Sequence, residues 1–173
     1  MGFNLGILIS GRGSNMVNII NASINHVIKS KVNIVISNKK DALGIIRAKK
    51  KKIKTVIIDD NNSKNEFEEK LSFYLKKANV NFLCLAGFMQ ILSSKFLKNW
   101  KGKIINIHPS LLPAFKGLNA QQKALEKKVK YVGATIHFVN SEVDSGEIID
   151  QMAVRLSSKD DLTMVKKKIL MLE

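Results

Sequence analysis

Short apolar runs alternate with amphipathic stretches along the chain, and that alternation is the feature that most limits what it can fold into. Runs at residues 5–9, 33–37, 55–58, 82–86 and 104–107 are rich in Ile, Val and Leu and too short for helices, so they read as strands. Between them, residues 15–27, 42–51, 64–78 and 91–100 space their apolar side chains three and four apart, the period of a helix with one buried face. Strands and helices in alternation imply parallel strands joined by crossover helices. After residue 107 the texture changes: a loop holding both prolines is followed by a short helix at 120–127 and two further strands at 133–139 and 148–156. A closing helix starts after Ser158 or Lys159, around Asp160. The expected fold is α/β: one domain over residues 1–173, with a doubly wound, mostly parallel sheet of about seven strands and helices on both faces.

Composition narrows the setting. A chain of 173 residues, 45% of them hydrophobic, suits one core rather than two. The single cysteine, Cys84, lies inside an apolar run, which leaves no disulfide framework and points to a reducing, cytoplasmic location. No apolar stretch approaches the roughly 20 residues of a membrane span, so no membrane partner is expected. The closing helix runs apolar to Glu173 without a Gly or Asn stop, which gives the expectation of a shortened C-terminus. The net charge of +15 invites a polyanion, yet among the basic residues only Arg12, Arg47 and Arg155 are arginine. Scattered lysines lack the bidentate geometry of base and phosphate readers, so the expected partners are small molecules rather than nucleic acid.

Two segments carry chemistry. The first strand runs into Ser10-Gly11-Arg12-Gly13-Ser14-Asn15 and then a helix, a geometry in which glycines let backbone N–H groups cradle one phosphate. The alternative is a plain strand-to-helix turn with Ser14 or Asn15 as N-cap. In Asn106-Ile107-His108-Pro109-Ser110, strand alternation puts Asn106 and His108 on one face, at the strand end where open α/β sheets bind ligands. An amide and an imidazolium aimed at one oxygen suit a tetrahedral acyl-transfer intermediate, and a carboxylate such as Asp144 would hold the imidazole protonated. Ser110 and Ser14 lack a nucleophile elbow, and three histidines without a His-Glu-x-x-His motif argue against a catalytic metal. His26 reads as a helix end and His137 as a strand residue.

Together, Gly11-Arg12-Gly13-Ser14-Asn15, Leu85-Ala86-Gly87-Phe88-Met89, Asn106 through Pro113 and Gly133 through Gly146 resemble the phosphoribosylglycinamide formyltransferases, of the folate-dependent formyltransferase family. The resemblance covers essentially the whole chain in order. It implies transfer of the formyl group of 10-formyltetrahydrofolate, as co-substrate, to the amine of 5'-phosphoribosylglycinamide in purine synthesis. It further implies a catalytic trio of Asn106, His108 and Asp144. The phosphoribosyl substrate would be held by Gly11, Arg12, Gly13, Ser14, Asn15 and Glu173. The folate would be held by Lys64, Met89, Gln90, Ile91, Leu92, Asn106, Asn140, Ser141, Glu142, Val143 and Asp144. The chain departs from the family at Gln90 in place of an arginine, Asn119 and Gln121 in place of histidines, and Glu147 in place of a proline. The competing expectations are another 10-formyltetrahydrofolate-using enzyme and an inactive basic nucleotide- or RNA-binding module. A monomer or weak homodimer is expected.

Overall fold

The structure, a computed structural model, describes residues 2–59 and 63–173. Among these, the elements run β1 (Asn4–Ile9), α1 (Ser14–Ile24), β2 (Lys31–Ser37), α2 (Leu43–Lys50), β3 (Thr55–Ile57), α3 (Lys64–Lys77), β4 (Phe82–Leu85), α4 (Ser94–Asn99), β5 (Lys103–His108), α5 (Ala120–Glu126), β6 (Tyr131–Phe138), β7 (Ile148–Arg155) and α6 (Leu162–Leu172). The seven strands follow the order β3-β2-β1-β4-β5-β6-β7 in one mostly parallel sheet, so the fold is the α/β class that the alternation implied. The described residues group into two compact units, one up to Ile104 and the other from Ile105.

In the first unit β1 lies between β2 and β4, parallel to both, with Ile7 opposite Val35 on one side and Cys84 on the other. Residues 5–9 are all buried, as expected of a parallel strand covered on both faces. Met16 and Ile20 of α1, Ile45 and Ala48 of α2, and Phe67, Leu71 and Leu75 of α3 supply helical faces to this core. The α3 residues recur every four positions and so form one stripe. In the second unit β6 pairs antiparallel with both β5 and β7. Val132 and Ala134 of β6 pack with Ala124 of α5 and with Val165 and Ile169 of α6.

Three local expectations are corrected. The apolar spacing from Ile91 to Trp100 predicts a helix of that length, but α4 begins only at Ser94. Ser93 is its N-cap, accepting from the Phe96 N–H at 3.0 Å, and Gln90, Ile91 and Leu92 stay outside the helix. The cap of α1 is Gly13 in the left-handed region (φ 69), with no side-chain cap bond, rather than Ser14 or Asn15. A Cβ on Gly13 would come within 2.9 Å of the Gly44 Cα, so close approach to α2 requires glycine there as well. The last helix starts at Leu162 with Asp161 as cap, because the Asp160 carboxylate is occupied elsewhere: it accepts from Lys168 Nζ and from the Ser157 N–H. Those two contacts hold the Asp160 carboxyl below its usual range.

Cys84 is buried in β4, and burial pushes its thiol from the ordinary 9.0 up to about 12. The folded state therefore holds a proton that the unfolded chain gives up. Stability from this group is intact below about 9 and falls as pH rises toward about 12. Iodoacetamide at about pH 8 should leave Cys84 unmodified in native protein and alkylate it once urea unfolds the chain, as read by mass spectrometry. Rapid labelling of native protein would contradict this burial.

Candidate active site

In the second unit, β5 and β6 and two loops bring four polar side chains together. Asn106 and His108 lie two apart on β5, and Asn106 stands opposite His137 across the antiparallel ladder. Asp144 follows β6 in a left-handed conformation (φ 48) that turns its side chain back toward them. Its Oδ2 lies 3.2 Å from His108 Nδ1 and accepts from the Gly117 N–H at 2.8 Å. Its Oδ1 lies 3.5 Å from Asn106 Nδ2 and 3.6 Å from His137 Nε2.

The donors can be assigned from their neighbours. His137 Nδ1 sits 2.8 Å from the Phe138 carbonyl, which only accepts, so Nδ1 carries the hydrogen and Nε2 is left as an acceptor. Asn106 Nδ2 donates to that Nε2 at 3.2 Å, which fixes which way the amide faces. The second amide hydrogen has only the long 3.5 Å contact to Asp144 and is the less firmly held. His108 faces acceptors on both sides, Asp144 at Nδ1 and the Phe115 carbonyl 3.0 Å from Nε2. A ring bearing two N–H groups satisfies both.

The loop after β5 is held as firmly. Its Leu112–Pro113 bond is cis. The hydroxyl of Thr135, fully buried on β6, donates to the Ser110 carbonyl and accepts from the Leu112 N–H. Gln151 of β7 donates to both the Leu112 carbonyl and Thr135 Oγ1. Ser110 spends its own hydroxyl on the Ala114 carbonyl at 2.6 Å, the bond of a structural residue rather than a nucleophile.

In the first unit, the glycine loop leaves β1 and enters α1, whose first N–H groups have no partner within the helix. Gly11 faces open space on its Cα side, and its carbonyl accepts from the Gly44 N–H at the start of α2, which braces the loop. Ser10 ties three strand ends together. Its N–H donates to the Gly87 carbonyl, and its hydroxyl donates to Asn38 and accepts from the Met89 N–H. Past Gly87, Met89 and Ile91 are exposed while Leu92 is buried.

A formyl transferase family profile matches residues 3–173. The chain belongs to the formyl transferase family. It is similar to the phosphoribosylglycinamide formyltransferase of Haemophilus influenzae, at 43% identity over 95% of this chain and 78% of that protein. It is also similar to the human trifunctional purine biosynthetic protein adenosine-3, at 40% identity over 98% of this chain but only 17% of that protein. Among solved structures, glycinamide ribonucleotide transformylase 1 from Symbiobacterium toebii matches with a TM-score of 0.95 and 38% identity, over 98% of this chain and 81% of that one.

Of the motif residues, Asn106 and His108 each lie within reach of Asp144, and Asn140 to Val143 form the exposed turn before Asp144. In that turn Asn140 accepts from the Glu142 N–H at 3.0 Å. Lys64 opens α3 and is exposed, and Glu173 closes α6. Asn119 is the left-handed residue before α5, and Gln121 lies in its first turn. His137, Thr135, Gln151 and Ser10 were not legible as site residues. His137 reads as an ordinary strand position, and its one signal is its place in the segment from Gly133 to Gly146 that carries the family resemblance.

Thr135→Val removes the acceptor for Leu112 N–H and the donor to the Ser110 carbonyl in a buried setting, which should cost about 1–3 kcal/mol in urea unfolding. Thr135→Ser should recover most of that loss. Equal stability of the valine variant would mean the hydroxyl is not holding the loop.

Proposed function

We propose that the chain transfers the formyl group of 10-formyltetrahydrofolate to the amine of 5'-phosphoribosylglycinamide. The observation that carries this reading is the Asp144 carboxylate set between His108 and Asn106, two N–H donors on one strand. Family membership and the Haemophilus influenzae relative support the choice of substrates.

The neutral amine nitrogen attacks the formyl carbon, and the carbonyl electrons move onto oxygen to give a tetrahedral oxyanion. The loosely held hydrogen of Asn106 and the Nε2–H of His108, which must exchange the Phe115 carbonyl for the substrate, donate to that oxygen where charge develops, so they stabilise the transition state more than the substrate. Asp144 orients the His108 ring and balances its charge when both nitrogens bear hydrogen. As the intermediate collapses, the bond from carbon to N10 of the folate breaks, N10 gains a proton and the attacking nitrogen loses one. The route needs no covalent enzyme intermediate and calls for no metal.

The loop of Gly11, Arg12, Gly13, Ser14 and Asn15 at the start of α1 takes the substrate phosphate, where N–H groups and the helix dipole favour an anion, and Glu173 contacts the same substrate. Lys64, the segment Met89, Gln90, Ile91 and Leu92, and the turn Asn140, Ser141, Glu142 and Val143 take the folate. The enzyme works in the cytoplasm as a monomer or weak homodimer.

Purified protein should consume 10-formyltetrahydrofolate only when the ribonucleotide is present. His108→Ala should lower kcat about a hundredfold or more while ribonucleotide affinity changes little. Full turnover in that variant, or consumption without the ribonucleotide, would overturn the reading. Asp144→Asn keeps the shape but not the charge and should lower kcat with little change in either KM.

A further inference from the structure

Glu68 is a buried acid that the mechanism above leaves unused. It sits on α3 at 6% exposure, in a stretch, Asn65-Glu66-Phe67-Glu68-Glu69-Lys70, whose charges look like a solvent face. Among the described residues, both hydrogen bonds of its carboxylate go to one partner. Oε1 accepts from the Ser93 N–H at 2.6 Å and Oε2 from the Ser93 hydroxyl at 2.5 Å. Burying a carboxylate is costly unless donors compensate it, so this arrangement is specified rather than incidental. Ser93 in turn caps α4 through the Phe96 N–H, which leaves the carboxylate beside the positive end of that helix.

The consequence falls on the residues before Ser93. Phe67, the neighbour of Glu68, stacks on Phe88 with ring centroids 6.0 Å apart. Ser10 holds Met89 through its N–H. Residues 88–93 are thus fixed at one end by Ser10 and Phe67 and at the other by Glu68, while Met89 and Ile91 between them remain exposed. Lys64 lies one turn before Glu68 on the same helix, at the spacing that shares a face.

We propose that Glu68 is a positioning residue for the formyl donor: by gripping Ser93 it holds Met89 to Leu92 in the conformation that binds folate. The proposal rests on the reading of that segment as part of the folate site. A carboxylate that served only to cap α4 would affect stability and leave the two substrates indistinguishable. A positioning role separates them, because the ribonucleotide is assigned to a different loop.

The test is calorimetric titration of wild type, Glu68→Ala and Glu68→Gln with 10-formyltetrahydrofolate and, separately, with 5'-phosphoribosylglycinamide. Glu68→Ala leaves the Ser93 N–H without its acceptor and should weaken folate binding about tenfold, with ribonucleotide binding within about twofold of wild type. Glu68→Gln retains one acceptor and should weaken folate binding by only about threefold. Amide exchange without ligand should speed up at residues 89–93 in both variants. If Glu68→Ala does not fold, Glu68→Gln decides the matter on the same readouts. Folate binding that is unchanged in the variants, or equal losses for both ligands, would overturn the proposal while leaving the proposed function standing. Wild-type protein that binds no folate would overturn the reading of the segment and the proposal with it.

Discussion

The Asp144 carboxylate is the contact on which the polar cluster of β5 and β6 depends. Its side chain is only 10% exposed, and a charge held that far from water persists only where donors surround it. Gly117 N–H, His108 and Asn106 supply them, and His137 Nε2 sits 3.6 Å from the same carboxylate. The arrangement needs a left-handed backbone at Asp144 and, through Gly117, a fixed path for the loop that carries the prolines. One carboxylate therefore coordinates a strand, a turn and a loop that are far apart in sequence. It also orients the Asn106 and His108 side chains of β5, and in the proposed mechanism the Phe115 carbonyl gives up His108 Nε2 to an oxyanion.

The same logic recurs in the first unit with a hydroxyl and a second acid. Ser10 joins the ends of β1, β2 and β4 at the point where the strand order reverses about β1, which is where open α/β sheets take ligands. Glu68 secures the far end of the segment that starts there. Both are small polar contacts: Ser10 holds the backbone of exposed Met89, and Glu68 holds the backbone and hydroxyl of half-buried Ser93.

The charge of +15 bears on this chemistry only in part. Lysines fall at the C-terminal turns of α2, α3 and α4, where cations complement the helix dipole. Lys168 and Lys40 pair with Asp160 and Asp59. Such positions describe a solvated basic surface, whose field favours encounter with anionic ligands such as the proposed substrates.

The sequence determined most of the fold and the identity of the central residues. Short apolar runs and apolar spacings of three and four set the helices and strands of the first unit from β1 to β4 to within three residues. The spacing of Asn106 and His108 put them on one face because strand geometry permits nothing else. The helix from Ile91 was misjudged because apolar spacing cannot register a serine that prefers to cap, and still less an acid on another helix that holds it there. Asp144 is reached by resemblance and turn chemistry together with His108 and Asn106, but its contacts with the Gly117 N–H and His137 are not, and Thr135, Gln151, Ser10 and Glu68 read as strand, loop or surface residues. What they have in common is a partner many residues away: Thr135 meets Leu112, Ser10 meets Met89, and Glu68 meets Ser93. Local propensity and period are properties of a short window and survive in the sequence. Satisfaction of a buried polar group is a property of the packed chain, decided only when tertiary structure sets which donors come within reach.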